Sequence, residues 1–455
     1  MWDPAPSDTD YLAAAEAAAR WIRSTAQETA HGLGWLPEPD HPERATTLTA
    51  PPTLYSGNAG IVLFLIELAR ATGNPTYLDE ARRGADEIAA TWRAVLDAKP
   101  LIPIENAHLD FAMGLSGTAF TLAHAWQATG DAKYRDAAQE ITRHIADAAR
   151  PVGAGVTWTG SPTVGLGDGS IVLYLLWAAR TFGDDSLIAL AERAGEHMVE
   201  TAIPDQRGGL RWASPSLESF GMPAGASMPN FELGTAGVAF ILARLHAETD
   251  NARFLAVARE GAAHVQALAT VREDAALLYY REPDLTDLYY LGYCHGPVGT
   301  ARLFYELHRI TGEREYLDWT ERFARGVMAS GVPEHQTPGL WNVVCQCCGT
   351  AGIIDLFTSL YVATGKDEYL AYSRRVADQT LSRATDFDGH GARWYQAWTR
   401  TQPWAVAAET GYMIGAAGVG SACLHLHLAA QGRYDAILFP DNSFPQTAAT
   451  SLAAV

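Results

Sequence analysis

The sequence predicts an all-α fold, an α/α toroid of seven inner and seven outer helices with short strands on one rim. Two observations carry this prediction. An apolar run that opens on Gly-x-x-Gly, or on Gly-x-x-Ser at Gly167, recurs seven times, and a charged amphipathic stretch follows each of the first six runs at a constant distance. A repeat of helix pairs buries one continuous core, so 455 residues need not divide into several domains. We therefore expect residues 1–455 to form a single domain.

The seven apolar runs predict the inner helices. Their leading glycines are Gly57, Gly114, Gly167, Gly234, Gly296, Gly349 and Gly415. Each run is apolar nearly all round for about 10–14 residues, which is typical of a buried helix. Small residues at the first and fourth positions predict close packing of the helix start against a neighbouring segment.

The outer helices are predicted from the residues twenty positions after the leading glycines. These residues are Tyr77, Tyr134, Leu187, Phe254, Tyr316 and Tyr369. The turn before each usually holds Gly beside Asp, Asn or Glu, which is typical of one helix ending and another beginning. The stretch from Asp10 supplies a seventh outer helix. The constant offset survives spacings between repeats that vary from 53 to 67 residues.

Loops of variable length lead into the inner helices and predict a functional rim. Four of them hold Trp close to Gly or Arg, in GVTWTG, GLRWASP, GLWNVV and GARWYQAW, and they predict short strands or hairpins. The longest loop, residues 203–230, is rich in Pro, Gly and Ser and could form a lid. Because the inner helices all begin at one end of the ring, we expect the site at that end.

Charge and hydropathy bear on partners and location. A net charge of −19 disfavours binding to nucleic acid or to an anionic membrane surface. No apolar run approaches the roughly 18–20 residues needed to cross a bilayer. The first ten residues lack the basic and apolar regions of a signal peptide. We therefore expect a cytoplasmic protein, while no pattern predicts its oligomeric state.

The cysteines are clustered, and the cluster predicts a metal site. Cys294 and Cys347 occupy the same position in two adjacent repeats, and Cys348 directly follows Cys347. Three thiols at neighbouring helix starts suit one Zn²⁺ ion with an open fourth position. The alternative is that they are buried small apolar side chains. Cys345 could replace Cys348 as a ligand or form a redox pair with Cys347, and Cys423 is expected in the core.

These residues resemble a known family. The seven-fold Gly-x-x-Gly pattern, with YCHGPVG at 293–299 and CCGTAG at 347–352, resembles the lanthionine synthetase C-like cyclases over essentially the whole chain. The resemblance implies a zinc-binding toroid that adds a cysteine thiol to dehydroalanine or dehydrobutyrine in a precursor peptide, forming lanthionine or methyllanthionine rings. Relatives in animals use glutathione as the thiol. A dehydrated precursor peptide, with kinase or lyase proteins of its pathway, is the expected set of partners.

The resemblance also implies which residues act. Cys294 and Cys347 match the family's zinc cysteines, and Cys348 stands where most members have a histidine. This Cys-Cys-Gly variant is similar to a subset of fused synthetases with all-cysteine zinc sites. Asp110, four residues before Gly114 in LDFAMG, matches an acidic residue implicated in the active site.

Two positions depart from the family pattern. Leu233 stands where a histidine often precedes the fourth leading Gly, and Tyr290 stands where an arginine is common. We therefore expect His295 to donate the proton, unless it only supports a ligand by a hydrogen bond. Asp110 could act as a base or orient a histidine, or it could cap an inner helix, and His108 is a weaker candidate. Tyr290 could donate a hydrogen bond to the enolate oxygen.

Two other functions remain open at this point. An α/α-toroid carbohydrate enzyme could use Asp110 and Asp168 as paired carboxylates, but this leaves the aligned cysteines unexplained. Alternatively, a family member that has lost cyclase activity could serve as a binding or scaffold subunit. The departures at Leu233 and Tyr290 are the reason for keeping this alternative.

Overall fold

A computed structural model describes residues 9–42, 52–97, 102–218, 222–335, 339–397 and 399–446. Within these ranges there are fifteen α-helices, and fourteen of them form the predicted double ring. The inner helices are α2 (Asn58–Thr72), α5 (Leu115–Thr129), α7 (Asp168–Phe182), α9 (Thr235–Thr249), α11 (Pro297–Thr311), α13 (Thr350–Thr364) and α15 (Ala416–Ala430). The outer helices are α1 (Tyr11–Ser24), α3 (Pro75–Thr91), α6 (Ala132–Asp147), α8 (Ser186–Glu200), α10 (Ala252–Leu268), α12 (Arg314–Ala329) and α14 (Asp367–Ser382). The fifteenth, α4 (Ala94–Asp97), is a single turn.

The ring of inner helices is closed. Each inner helix contacts the next one, and α15 contacts α2. Each of the first six inner helices packs against the outer helix that follows it, whereas α15 packs against α1 from the other end of the chain. The all-α toroid predicted from the repeats is therefore confirmed. None of the helices in the described ranges is long and apolar enough to cross a lipid bilayer.

The fourth-position glycines of the inner runs are required by a close approach within each repeat. A Cβ atom at Gly117 would overlap the carbonyl oxygen of Phe111, and one at Gly237 would overlap that of Phe231. The loop before each inner helix therefore folds back onto the first turn of its own helix. The small residues serve this contact as well as packing between repeats.

The outer helices begin and bury one face as their sequences predict. Asn74, Asp131 and Asn251 each accept a hydrogen bond from a backbone N–H of the first turn, at 3.1 Å. The preceding inner helices end at left-handed residues, such as Gly73 with φ of 69°. The predicted aromatic residue of the first turn, for example Tyr134, is buried.

Short two-stranded ribbons connect the outer helices to the rim. The antiparallel pairs are β1 (Ala26–Glu28) with β2 (Leu33–Trp35), β3 (Arg150–Val152) with β4 (Gly155–Thr157), β5 (Ile203–Pro204) with β6 (Leu210–Arg211), β7 (Thr270–Arg272) with β8 (Ala275–Leu277), and β11 (Tyr395–Gln396) with β12 (Ala407–Ala408). One pair, β9 (Tyr289–Tyr290) with β10 (Leu340–Trp341), is parallel and joins two repeats. The strands predicted at the four Trp-containing loops are confirmed.

Three of the rim tryptophans anchor these ribbons and do not line a groove. Trp158, Trp212 and Trp394 are buried, and each indole N–H donates to a carbonyl near the end of the preceding outer helix, at 2.7–2.9 Å. A buried indole needs such a partner, so the contact fixes the ribbon on the helix end. In residues 203–230, Leu217 and Met222 form an isolated bridge, and residues 219–221 lie outside the described ranges. The lid role of this segment stays a prediction.

The starts of the inner helices are joined by a ring of backbone hydrogen bonds. In six links, the N–H of one residue donates to the carbonyl of the equivalent residue in the next repeat, at 2.7–3.1 Å. The links run from Tyr55 to Ala112, Gly165 to Glu232, Glu232 to Cys294, Cys294 to Cys347, Cys347 to Met413, and Met413 to Tyr55. These bonds hold the residues two positions before the leading glycines around one axis.

Candidate metal centre and cleft

Three cysteine sulfurs meet at the starts of α11 and α13. Cys294 Sγ lies 3.3 Å from Cys348 Sγ, and Cys348 Sγ lies 3.6 Å from Cys347 Sγ. All three side chains are buried, and the five cysteines of the chain are free thiols. The ring of backbone bonds places Cys294 and Cys347 side by side, as the repeat alignment predicts.

The spacing of the sulfurs fits a tetrahedral metal ion. Metal–sulfur bonds of about 2.3 Å in tetrahedral geometry separate two sulfurs by about 3.8 Å. The observed separations are slightly shorter, so small side-chain rotations would complete the site. Thiolate sulfur is a ligand that Zn²⁺ accepts readily. The cluster could therefore hold a metal ion.

The three thiols do not ionise alike. The pKa of Cys347 is well below its ordinary value because the thiols of Cys294 and Cys348 and the hydroxyl of Tyr55 are hydrogen-bonded to it. Burial and the neighbouring sulfur of Cys347 raise the pKa of Cys294. Without a metal, negative charge therefore collects on Cys347.

Of the remaining two cysteines, Cys345 adjoins the group of three at Cys348 and Cys423 does not. Cys345 is fully buried, and its sulfur accepts a weak hydrogen bond from the backbone N–H of Cys348 at 3.5 Å. The sulfur of Cys345 is therefore next to the backbone of Cys348, but it does not belong to the group of Cys294, Cys347 and Cys348 that could hold a metal ion. Cys423 is buried within α15, as expected for a core residue.

His295 lies against the cluster in a defined tautomer. Its Nδ1 is 3.2 Å from Asn230 Oδ1, and Asn230 Nδ2 donates to the carbonyl of Tyr280 at 3.0 Å. Because the Asn230 oxygen must accept, Nδ1 carries the proton and Nε2 is left as an acceptor. Burial lowers the pKa of His295 to about 4, so the ring is neutral at neutral pH.

Two tyrosines form the wall beside His295. The rings of Tyr280 and Tyr290 are stacked with centroids 4.6 Å apart, and both meet the imidazole edge-on. Burial raises the pKa of Tyr280 to about 12 and raises that of Tyr290 further. Both hydroxyls therefore stay protonated at neutral pH and can donate hydrogen bonds.

Glu232 belongs to the site and was not predicted. One of its carboxylate oxygens, the sulfur of Cys294 and a ring nitrogen of His295 all lie within 4.8 Å of one another. Desolvation, followed by the charges of Cys347 and Asp110, raises the pKa of Glu232 well above its ordinary value. The signal was present in the repeat alignment, where Glu232 holds the position equivalent to Cys294.

These groups line a cleft of about 160 Å³. Part of the lining is apolar and includes Met113, Leu166, Leu217, Met222 and Leu233. The lining also includes the three cysteines, His295, the two tyrosines and the loop residues 399–401. The cleft therefore joins a sulfur cluster to apolar side chains.

A sequence profile with the description "Lanthionine synthetase C-like protein" matches residues 49–104, 105–341 and 233–439. The chain belongs to this family. No curated protein matches it in a sequence search. Among solved structures, nisin cyclase is similar with a TM-score of 0.61 at 16% identity, covering 86% of this chain and 91% of that one. This likeness shows a shared fold.

Two further solved structures are similar at a lower level. One is an inactive variant of the α-1,6-mannanase GH76A of Salegentibacter sp. HEL1_6, with a TM-score of 0.47, 12% identity and coverage of 93% of this chain and 99% of that one. The other is cellobiose 2-epimerase from Bacillus thermoamylovorans B4167, with a TM-score of 0.45, 9% identity and coverage of 72% and 89%. These scores are too low to support a functional inference.

In this lanthionine synthetase C-like protein, Asp110 bridges the one gap in the ring of backbone bonds. Among the described residues, the backbone link from Ala112 to Gly165 is not made. The Asp110 carboxylate accepts instead from the N–H of Met113 at 2.8 Å, the N–H of Leu166 at 2.9 Å and the hydroxyl of Ser170 at 3.0 Å. Met113 and Leu166 both precede their helices, and the residue that caps α5 is Gly114, so the Asp110 carboxylate joins two adjacent loops and does not cap a helix. Its catalytic role stays a prediction.

Asp168 has an equally structural environment. Its carboxylate accepts from the N–H of Trp158 at 3.0 Å, from the N–H and hydroxyl of Thr159 at 2.8 Å, and from the hydroxyl of Thr157. It therefore fixes the ribbon of β3 and β4 on α7. Asp168 is not among the described residues that line the cleft, so the carboxylate pair of the carbohydrate alternative has no common site there.

A second cavity, of about 80 Å³, lies inside the ring. Residues 437–444 line one side of it, and Glu232 is shared between this cavity and the cleft. The C-terminal segment is fixed by Asp441, which accepts from the Tyr293 hydroxyl and pairs with Arg302, both at 2.6 Å. Phe439 packs on Phe111, Phe120 and Tyr412.

A buried ion cluster lies in the wall of this inner cavity. The imidazole of His425 contacts Glu67 through Nε2 and Asp355 through Nδ1, both at 3.1 Å. The two carboxylates outweigh burial and raise the pKa of His425 to about 10. Asp355 also accepts from Gln346 at 2.6 Å, which connects the cluster to the residue before Cys347.

Proposed function

We propose that this protein is a zinc-dependent cyclase that joins cysteine thiols of a dehydrated ribosomal peptide to dehydroalanine or dehydrobutyrine. The observation that supports it best is the cluster of three sulfurs opening on a partly apolar cleft. Family membership and the nisin cyclase fold agree with this function. The products are lanthionine and methyllanthionine rings, and the proposal treats residues 1–455 as one cyclase domain in the cytoplasm.

In this proposal Cys294, Cys347 and Cys348 hold one zinc ion. When bound, the ion supplies Lewis acidity that lowers the pKa of a substrate thiol. The lowered pKa of Cys347 means that one ligand is already predisposed to ionise. The side chains of all three cysteines are buried, so little bulk water reaches their sulfurs.

The chain's own side chains then handle the protons. The thiol sulfur forms a bond to Cβ of the dehydro residue, the Cα–Cβ double-bond pair moves toward the carbonyl oxygen, and Cα finally takes one proton. A ring nitrogen of His295 lies within 4.8 Å of Cys294 Sγ. A neutral imidazole there can accept the thiol proton, directly or through one water, and return it to Cα. Tyr290 lines the same cleft, and in this proposal its hydroxyl donates a hydrogen bond to the substrate.

The substrate is expected to be a linear peptide that other proteins have dehydrated. The apolar part of the cleft lining can accept the side chains that flank the reacting residues. Kinase and lyase activities that convert Ser or Thr into dehydro residues would supply this substrate. The alternative role as a scaffold predicts binding of the same peptide without loss of thiols.

Metal content and thiol loss test the proposal together. The purified protein should contain about one zinc per chain, and a dehydrated peptide should lose its free thiols without a change in mass. Cys347→Ala should abolish both, while Cys423→Ala, a buried cysteine in α15, should change neither. A protein that takes up no zinc would contradict the proposal. A zinc protein that binds the peptide and leaves its thiols free would support the scaffold.

A further inference from the structure

Arg400 is the one Lys or Arg side chain among the described residues that line the cleft. It lies on the loop between β11 and β12, in a different repeat from the cysteines. Its guanidinium is hydrogen-bonded to Tyr290, and its Nε is buried without a hydrogen-bond partner among the described residues. A buried N–H donor on a cation is costly unless a ligand supplies the acceptor.

The loop that carries Arg400 is attached directly to the cysteine segment. Gln396 precedes Arg400 by four residues, and its Oε1 accepts from the N–H of Val344 at 2.9 Å and of Cys345 at 3.2 Å. Its Nε2 donates to the carbonyl of Ile414 at 2.7 Å. The first two bonds fix the base of the loop against the segment that ends in Cys347 and Cys348, and the third joins it to the residue before Gly415.

The surroundings of Arg400 show what it faces. Tyr290, its partner, interacts electrostatically with Cys348 and Cys294, and Tyr280 interacts with both Arg400 and Cys294. The guanidinium and the sulfurs thus line the same cleft and share Tyr280 and Tyr290 as neighbours. A charged N–H donor near a reacting thiol can donate a hydrogen bond to a substrate oxygen that gains negative charge during the reaction.

We propose that Arg400 binds the carbonyl oxygen of the dehydro residue and stabilises the negative charge that this oxygen gains when sulfur attacks. This assignment rests on the proposed function. As the S–Cβ bond forms, the Cα–Cβ pair shifts to Cα–C and the carbonyl pair shifts to oxygen, so an enolate oxygen faces the guanidinium. Protonation of Cα returns the pair and restores the carbonyl. No oxidant or reductant enters the step.

A pair of small thiols tests this without the cyclisation reaction. 3-Mercaptopropionate has the S–C–C–C–O skeleton of the enolate and carries an anionic oxygen, whereas 3-mercaptopropanamide has the same skeleton without the charge. Binding of each to the zinc-loaded protein can be measured by titration calorimetry. We expect the wild type to prefer the carboxylate roughly tenfold or more, as for a charge-assisted hydrogen bond.

Arg400→Ala should reduce this preference to about one, and Arg400→Lys should keep part of it. Arg135→Ala is the matched control, because Arg135 is a partly exposed residue of an outer helix whose partners, Asp136 and the ring of Trp126, do not line the cleft. With dehydrated peptide, Arg400→Ala should lower kcat by roughly 10²–10³-fold.

The outcomes separate the two proposals. If both thiols bind equally to the wild type, or if Arg400→Ala keeps the preference, the assignment of Arg400 is overturned while the metal site stands. If neither thiol binds, thiol capture fails, and both the proposed function and the role of Arg400 are overturned.

Discussion

The buried cluster of His425 with Glu67 and Asp355 makes a strong prediction about stability. Replacing His425 by Gln removes the positive charge but keeps a side chain of similar length. Two carboxylates would then lie in the interior without a cation between them. Breaking a buried ion pair in this way costs about 3–5 kcal/mol, because the remaining charges lose their partner while staying desolvated.

The pH dependence of the free energy of unfolding gives an independent value for the contribution of this cluster to stability. The pKa of His425 is raised from an ordinary 6.5 to about 10, a difference worth about 5 kcal/mol at about 1.36 kcal/mol per unit. A raised pKa means that the folded state binds the proton more tightly than the unfolded state. The stabilisation is therefore complete below pH 6.5 and is lost as the pH rises toward 10. Between pH 6.5 and 9.5 the loss amounts to about 3.5 kcal/mol.

Denaturant unfolding at pH 6.5, 8 and 9.5 measures both quantities. His425→Gln should be less stable than the wild type at pH 6.5, and the difference should shrink by pH 9.5. His427→Gln is the matched control, since His427 lies on the same helix, is partly exposed and contacts Gln431. If His425→Gln unfolds with the same pH dependence as the wild type, the cluster does not hold a charged imidazole and the reasoning fails.

Three further predictions concern the rim. Asp110→Asn should lower the free energy of unfolding by about 1–3 kcal/mol, because the NH₂ group of an amide cannot accept the hydrogen bonds that one carboxylate oxygen accepts now. Unchanged stability with lost cyclisation would instead support a catalytic role. Gln396→Ala should lower cyclisation through kcat more than through KM, since it releases the base of the loop that carries Arg400, and a zinc assay should show normal metal content. Cys345→Ser should keep one zinc per chain, and loss of zinc in this variant would show that Cys345 is a ligand.

The toroid and the sulfur cluster could be predicted because both follow from periodicity. Seven equivalent runs define seven equivalent helix starts, and residues at equivalent positions in adjacent repeats must be neighbours. This reasoning brought Cys294 and Cys347 together. The same alignment places Glu232 next to Cys294, but an isolated carboxylate in a repeat without cysteine carries no motif of its own.

Features outside the repeat could not be predicted in this way. Arg400 lies in a loop whose length differs from those of the other repeats, so no alignment shows that it reaches the cleft. The residues that follow α15 have no equivalent at all, although Phe439 and Asp441 occupy the middle of the ring. The role of Asp110 depends on a single missing backbone bond, which only the coordinates of two adjacent loops reveal.

The pairing of α1 with α15 also determines when this fold can be completed. The hydroxyl of Thr410 donates to the carbonyl of Leu36, a residue 374 positions earlier in the chain. At about 5–20 residues per second, a ribosome needs roughly 20–75 s to synthesise the intervening segment. During that time the buried face of α1, which includes Trp21 and Ile22, lacks the helix against which it packs most extensively. Helix α1 therefore waits for α15, and the nascent chain exposes part of this apolar face until α15 has been synthesised.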